Sequence, residues 1–111
     1  MSDAAFMAPE SAMRRAHTAR IYWSPQHVAL GLPAVTRTID PTYFDGSDPI
    51  RDEGWSLICE FEMSPAKQGH PSTAHVQFFV DHAPHERLAP GTVLWMFERA
   101  TAQHARVEIL D

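Results

Sequence analysis

A chain of 111 residues leaves room for one globular domain, and 44% hydrophobic with 21% charged residues is the composition of a folded protein. The net charge of −5 disfavours nucleic-acid binding, because proteins that bind nucleic acids neutralise phosphates with a basic surface. Nine prolines and five glycines favour many turns between short elements and argue against a helical bundle.

The N-terminal segment differs in composition from the rest of the chain. Residues 1–17 are rich in Ala, Ser and Met and lack a strand pattern, so we expect an N-terminal arm, either mobile or docked, ahead of one domain over 18–111. The arm has neither the apolar stretch nor the basic start of a signal peptide. No apolar run approaches the ~20 residues that a membrane-spanning helix needs. The expectation is a cytoplasmic protein that does not contact a membrane.

Six short segments alternate apolar and polar residues with a period of two, which is typical of half-buried strands. They are predicted over 18–24, 34–40, 55–62, 73–80, 92–98 and 103–110. Turns rich in proline and glycine separate them, and no long helical pattern intervenes. The predicted fold class is therefore all-β, a six-stranded antiparallel closed barrel.

The same alternation assigns side chains to the inside or the outside of the predicted barrel. One shared core is predicted from Cys59, Val76, Phe78, Leu94, Met96, Val107 and Ile109. On the sixth strand, His104 is expected on the outer face. Cys59 is the one cysteine of the chain, and we expect it to be a buried, inert thiol.

The last third of the chain resembles a known family. Residues 73–110 read TAHVQFFVDHAPHERLAPGTVLWMFERATAQHARVEIL. A strand runs into the Ala-Pro-His-Glu turn at Ala83–Glu86, and a Pro-Gly turn, an aromatic-rich strand and a final strand follow. This order resembles the C-terminal β-barrel of elongation factor Tu and small stand-alone bacterial proteins built on the same barrel.

The resemblance implies a six-stranded antiparallel barrel that stands alone, without the GTP-binding domain. The chain has no GxxxxGK[ST] phosphate loop, so the GTPase activity is not implied. In the translation factor the barrel helps to hold tRNA, which makes an RNA- or translation-associated accessory role one alternative function. The arginine-containing loops that we associate with the family are replaced here by QHVALGLPAVTR over residues 26–37.

Seven histidines are a high count for this length, and histidine is the commonest metal ligand. His75, His82 and His85 lie near one turn, with His70 in the preceding loop, and they are weak candidates for a metal site. The alternative is that His85 caps or hydrogen-bonds within its own turn while the others face solvent. We favour that alternative and expect no metal and no cofactor.

No motif of nucleophilic catalysis is present, since there is no GxSxG elbow and Cys59 is predicted to face inward. Glu60 and Glu62 share one strand face at about 7 Å, a spacing within the inverting-glycosidase range. The outside of a barrel provides no pocket for such chemistry, and the acidic stretch 45–53 is expected to be a solvated loop. The chain is therefore predicted not to be an enzyme.

The fifth predicted strand departs from the alternation, because it is apolar on both faces. Val93, Trp95 and Phe97 lie on the face opposite Leu94 and Met96, and Phe79 adds an aromatic ring to the outer face of the fourth strand. Large apolar side chains that a monomer cannot bury indicate an interface. We predict a protein interface from Val93, Trp95, Phe97 and Phe79, unless the N-terminal arm or the long loops cover this face within the monomer.

The sequence thus favours a non-enzymatic β-barrel of unknown cellular role that acts through protein–protein contact, with either another protein or a second copy in a homodimer. An RNA- or tRNA-associated accessory barrel is the first alternative. A small-molecule or metal-binding barrel that uses the histidines is the second.

Overall fold

Six antiparallel strands close into a barrel in the computed structural model, which describes residues 16–99 and 102–111. The order of neighbours around the barrel is β1-β4-β3-β2-β5-β6. The predicted fold class, an all-β six-stranded antiparallel closed barrel, is confirmed. Residues 1–15, most of the predicted N-terminal arm, lie outside the described residues.

The strands are β1 (His17–Trp23), β2 (Arg37–Phe44), β3 (Trp55–Glu60), β4 (Ser72–Phe78), β5 (Val93–Arg99) and β6 (Ala102–Ile109). The helical segments of the described chain are short: α1 (Pro25–Leu30), α2 (Pro65–Gln68) and one 3₁₀ turn (His85–Arg87). Among the described residues, no helix is both long enough and apolar enough to cross a bilayer.

Strand β2 lies further along the chain than predicted, over 37–44 rather than 34–40. Pro41, the first residue after the predicted strand, lies within β2, opposite Ser56 of β3. The nitrogen of Pro41 faces the β5 side of the strand, as does the N–H of Asp45, which donates to Val93 O at 2.9 Å. The pairing of β2 with β5 runs from Thr42 to Phe44, so the proline removes no donor from it.

The barrel is filled by a continuous apolar core. The seven predicted core side chains, from Cys59 to Ile109, are all buried at 1% exposure or less, which confirms that prediction. Phe78 lies in the middle of this core, with the ring of Phe44 at 5.9 Å and the ring of Trp55 at 6.4 Å between centroids. The side chains of β3, β4 and β5 reach the core because the period-two pattern places them on one face.

The prediction for His104 is wrong, because this side chain is buried. The cause is an irregularity in the β5–β6 pairing. Met96 lies opposite Ala105, but Phe97 lies opposite Gln103, so His104 is an extra residue on β6. Such a bulge interrupts the strict alternation of faces, and His104 and Ala105 are therefore both buried.

Candidate interaction surface on strand β5

The outer surface of the barrel carries a row of large side chains that crosses four adjacent strands. Tyr22 of β1 pairs with Arg106 of β6, Arg106 pairs with Trp95 of β5, and Trp95 pairs with Tyr43 of β2. All four side chains are half-buried, whereas their neighbours on the same strands point into the core. Three strand spacings give the row a length of about 14 Å. We call these four residues the aromatic row.

Each member of the aromatic row is held by a specific contact. The guanidinium carbon of Arg106 lies 4.3 Å from the centroid of the Tyr22 ring, a cation–π geometry. Trp95 donates its indole N–H to the Asp45 carboxylate at 2.8 Å. The Tyr43 ring meets the Phe97 ring edge-on, at 5.2 Å between centroids. The row is therefore an ordered surface rather than a set of mobile side chains.

Gly54 sets the position of the Tyr43 ring at the end of the row. A Cβ atom on Gly54 would lie 2.7 Å from Tyr43 Cζ and 3.0 Å from the backbone oxygen of Thr42. The absence of a Cβ atom on Gly54 therefore lets the Tyr43 ring lie against the backbone, and a larger residue would displace the ring. The segment before β3 is thus in contact with the Tyr43 end of the aromatic row.

A groove lies on each side of Trp95. The first has a volume of about 300 Å³ and lies between Trp95 and Arg106, with Tyr22 and Pro25 in its walls. The second has a volume of about 340 Å³ and lies between Trp95 and the loop that follows β2, with Asp45, Pro49 and Phe97 in its walls. Trp95 thus lies between a groove bordered by a basic group and a groove bordered by an acidic group.

The structure brings three of the four predicted interface residues together. Val93 and Trp95 are half-buried on the outer face of β5, and Phe97 is buried beneath Tyr43 and the second groove. Phe79 is 51% exposed but follows β4, and strands β3 and β2 lie between β4 and β5. Phe79 therefore belongs to a different part of the outer surface.

Three members of the aromatic row were missed by sequence reasoning. The alternation does place Tyr22 and Arg106 on outer faces, opposite apolar neighbours on β1 and β6. The alternation within each strand does not give the register between strands. Only the register shows that Tyr22 and Arg106 lie beside Trp95 and Tyr43. Tyr43 lies beyond the predicted strand over 34–40, so the pattern assigns it to no face of the barrel.

The candidate metal-binding histidines have separate environments. The imidazole Nε2 of His85 lies 3.0 Å from both Val80 O and Asp81 O, so this buried ring is satisfied within its own turn. His82 is exposed and packs against the edge of the Trp55 ring, at 5.6 Å between centroids. His75 is exposed on β4. Within the described residues, no three His, Cys, Asp or Glu side chains lie close enough together to hold a metal ion.

A second cluster of histidines lies at the end of the barrel where β1 ends. The His104 ring stacks on Trp23 at 6.4 Å with an interplanar angle of 15°, and the His27 ring lies 5.1 Å from it. Nε2 of His104 is 3.8 Å from the Asp40 carboxylate, and Nδ1 of His27 is 2.9 Å from the Ser24 hydroxyl. Ser24 also caps α1, so these polar groups join the helix to the barrel.

Cys59 is enclosed in the core at 0% exposure. Burial raises the pKa of its thiol above the ordinary value, and the nearby Asp40 carboxylate acts in the same direction. The group therefore remains protonated at neutral pH and is out of contact with solvent. This environment is that of a structural thiol and not of a nucleophile.

The folded protein is accordingly expected to resist alkylation of Cys59 by iodoacetamide at neutral pH, and to react fully in denaturant. Protection follows from both the burial of the sulfur and the raised pKa of the thiol. Intact-mass spectrometry before and after addition of guanidinium chloride measures the modified fraction. Rapid and complete alkylation of the folded protein would contradict the assigned environment.

Comparison with protein-family models, with curated protein sequences and with solved structures finds no match to this chain.

Proposed function

We propose that this chain is a non-enzymatic β-barrel that works by protein–protein contact, and that the aromatic row with its two grooves is the contact surface. The observation that carries the proposal is the position of Trp95. It is a half-buried tryptophan in the middle of the row, between a basic and an acidic group. Tryptophan, tyrosine and arginine are the residues most enriched at binding hot spots, and the row consists of these three types.

The hydrogen bond from Trp95 to Asp45 supports this role. An indole N–H that is buried without a partner costs free energy. Here the 2.8 Å bond already satisfies the N–H within the monomer. A partner can therefore cover the whole ring without leaving a polar atom unpaired.

Two other functions have less support. An aromatic row with an arginine also suits base stacking in single-stranded nucleic acid. However, Asp45 borders the row, Glu108 pairs with Arg20 on the same face of β1 and β6, and the chain carries a net charge of −5. A metal-binding barrel would need His75, His82 and His85 to act together, and these three lie in separate environments.

Photo-crosslinking tests the proposed contact. Benzoylphenylalanine placed at position 95 is expected to give a covalent adduct of one discrete mass in intact cells, because the ring lies in the contact. The matched control carries the same residue at position 79, where the native phenylalanine is 51% exposed and lies two strands away.

The control at position 79 is expected to give no such adduct. Thermal melting of both variants verifies that the barrel is folded. Absence of any protein adduct at position 95, or equal adducts at both positions, would overturn the proposal. A crosslink to RNA at position 95 would favour the nucleic-acid alternative instead.

A further inference from the structure

We infer that the partner of the aromatic row is a second copy of this chain, in a two-fold symmetric dimer. This inference rests on the protein contact proposed above and names the partner. In this dimer the groove that Arg106 lines in one copy faces the groove that Asp45 lines in the other. The two Trp95 rings meet at the centre.

The arrangement of charge around Trp95 is self-complementary. Arg106 borders the groove on one side of the indole, and Asp45 borders the groove on the other side. A two-fold axis that lies in the interface and passes by Trp95 exchanges these two sides. Each arginine then meets a carboxylate of the other copy, and this happens twice in the dimer. An isologous contact has this property, because one surface patch must fit itself.

The side chains near the two charges are already positioned for such a contact. Arg106 rests on the Tyr22 ring at 4.3 Å, and Asp45 is held by the N–H of Trp95 at 2.8 Å. Groups that are ordered before association lose little conformational entropy on binding. The second carboxylate oxygen of Asp45 is available to accept from a guanidinium of the other copy.

A stable contact also needs area. Standard interfaces bury about 800 Å² on each partner, and a fully buried aromatic side chain contributes about 150–250 Å². Three half-buried aromatic rings fall short of this, so the segments at the outer ends of the two grooves must take part. Leu30 and Ile50 are the most exposed large hydrophobic side chains of the described residues, at 79% and 74%.

These two side chains belong to chain segments that adjoin the grooves. Leu30 ends α1, which begins at Pro25 in the wall of the first groove. Ile50 follows Pro49 in the wall of the second groove. We include both segments in the inferred interface, because the aromatic row alone does not supply the area of a standard interface.

A charge-complementation experiment tests the inference. Purified Arg106→Glu and Asp45→Arg variants are each expected to self-associate at least about tenfold more weakly than wild type, because like charges then face each other at two places in each homodimer. An equimolar mixture of the two variants is expected to dimerise, because each reversed charge meets its opposite in the mixed pair. Sedimentation velocity through the micromolar range, with one variant carrying a fluorescent label, measures both association constants.

Control variants separate association from folding. Trp95→Glu is expected to give monomers with an unchanged far-UV spectrum, since the side chain lies outside the core. Asp45→Asn keeps an acceptor for the indole N–H of Trp95 and removes only the charge, so it is expected to lie between wild type and Asp45→Arg. Phe79→Glu, on the far side of β3 and β2, is expected to associate as wild type does.

The possible failures are distinguishable. A wild type that is monomeric throughout the micromolar range would overturn the dimer, whereas a crosslink to a different protein at position 95 would leave the proposed function standing. A dimer that Trp95→Glu dissociates but that the mixed charge variants do not restore would overturn the two-fold pairing of Arg106 with Asp45. A dimer that Trp95→Glu leaves intact would overturn the inference by placing self-association on another face.

Discussion

Replacing Phe78 with alanine is expected to lower the free energy of unfolding by about 3–5 kcal/mol, which is a large part of the stability of a domain this small. The side chain is fully buried, and its ring contacts Phe44, Trp55 and His85 at centroid distances of 5.9, 6.4 and 5.9 Å. These three rings therefore line a cavity that the smaller residue cannot fill. Denaturant unfolding followed by circular dichroism measures the loss.

The next residue in the chain provides a matched control. Phe79→Ala removes the same ring from a side chain that is 51% exposed, so the expected change is below about 1 kcal/mol. The difference between the two variants reports burial alone, because residue type and position in the chain are nearly the same. Equal unfolding midpoints for the two variants would contradict the faces assigned to β4.

Replacing His85 with alanine is the second large expected effect. Its Nε2 atom faces two carbonyl oxygens, Val80 O and Asp81 O, so this nitrogen must carry the proton and donate. Loss of the donor removes two part-buried hydrogen bonds, and a net contribution of about 0.5–1.5 kcal/mol for each gives an expected cost of about 1–3 kcal/mol. Loss of the ring also removes its edge contact with Phe78.

His82→Ala is the control for this variant. His82 is exposed, and the expected change in unfolding free energy is within about 0.5 kcal/mol. The measurement is the same denaturant titration, carried out under identical conditions for both variants. If His85→Ala proved as mild as His82→Ala, the turn would not depend on the imidazole.

The fold was predictable because the alternation of apolar and polar residues can be recognised within each strand by itself. The alternation on β4 assigns Val76 and Phe78 to the inside without any knowledge of the other strands, and both are buried at 0% exposure. Where the alternation is interrupted, the prediction fails. His104 is buried because a bulge adds one residue to β6. The sequence around His104 contains no signal that predicts this bulge.

The candidate surface was predictable only in part, for a related reason. Trp95 and Val93 stand out because they are apolar residues on an outer face, which is visible within one strand. The aromatic row depends on the register of four strands, and register is set by the whole barrel rather than by neighbours in the chain. Pro41 also hides the strand position of Tyr43, because a proline within a strand is compatible only with a position where its nitrogen has no partner strand to donate to. A proline in the sequence therefore usually indicates the end of a strand.

The closure of the barrel by β1 and β6 has a consequence for how the chain reaches this structure. Ala19 on β1 lies opposite Ile109 on β6, roughly ninety residues away in the chain, and such distant contacts slow folding because loop entropy is lost before they form. Until β6 is in place, β1 and β5 each present an unpaired edge. An unpaired edge is a template for pairing with other chains, so a ribosome-bound or truncated form that lacks β6 is the species most exposed to aggregation.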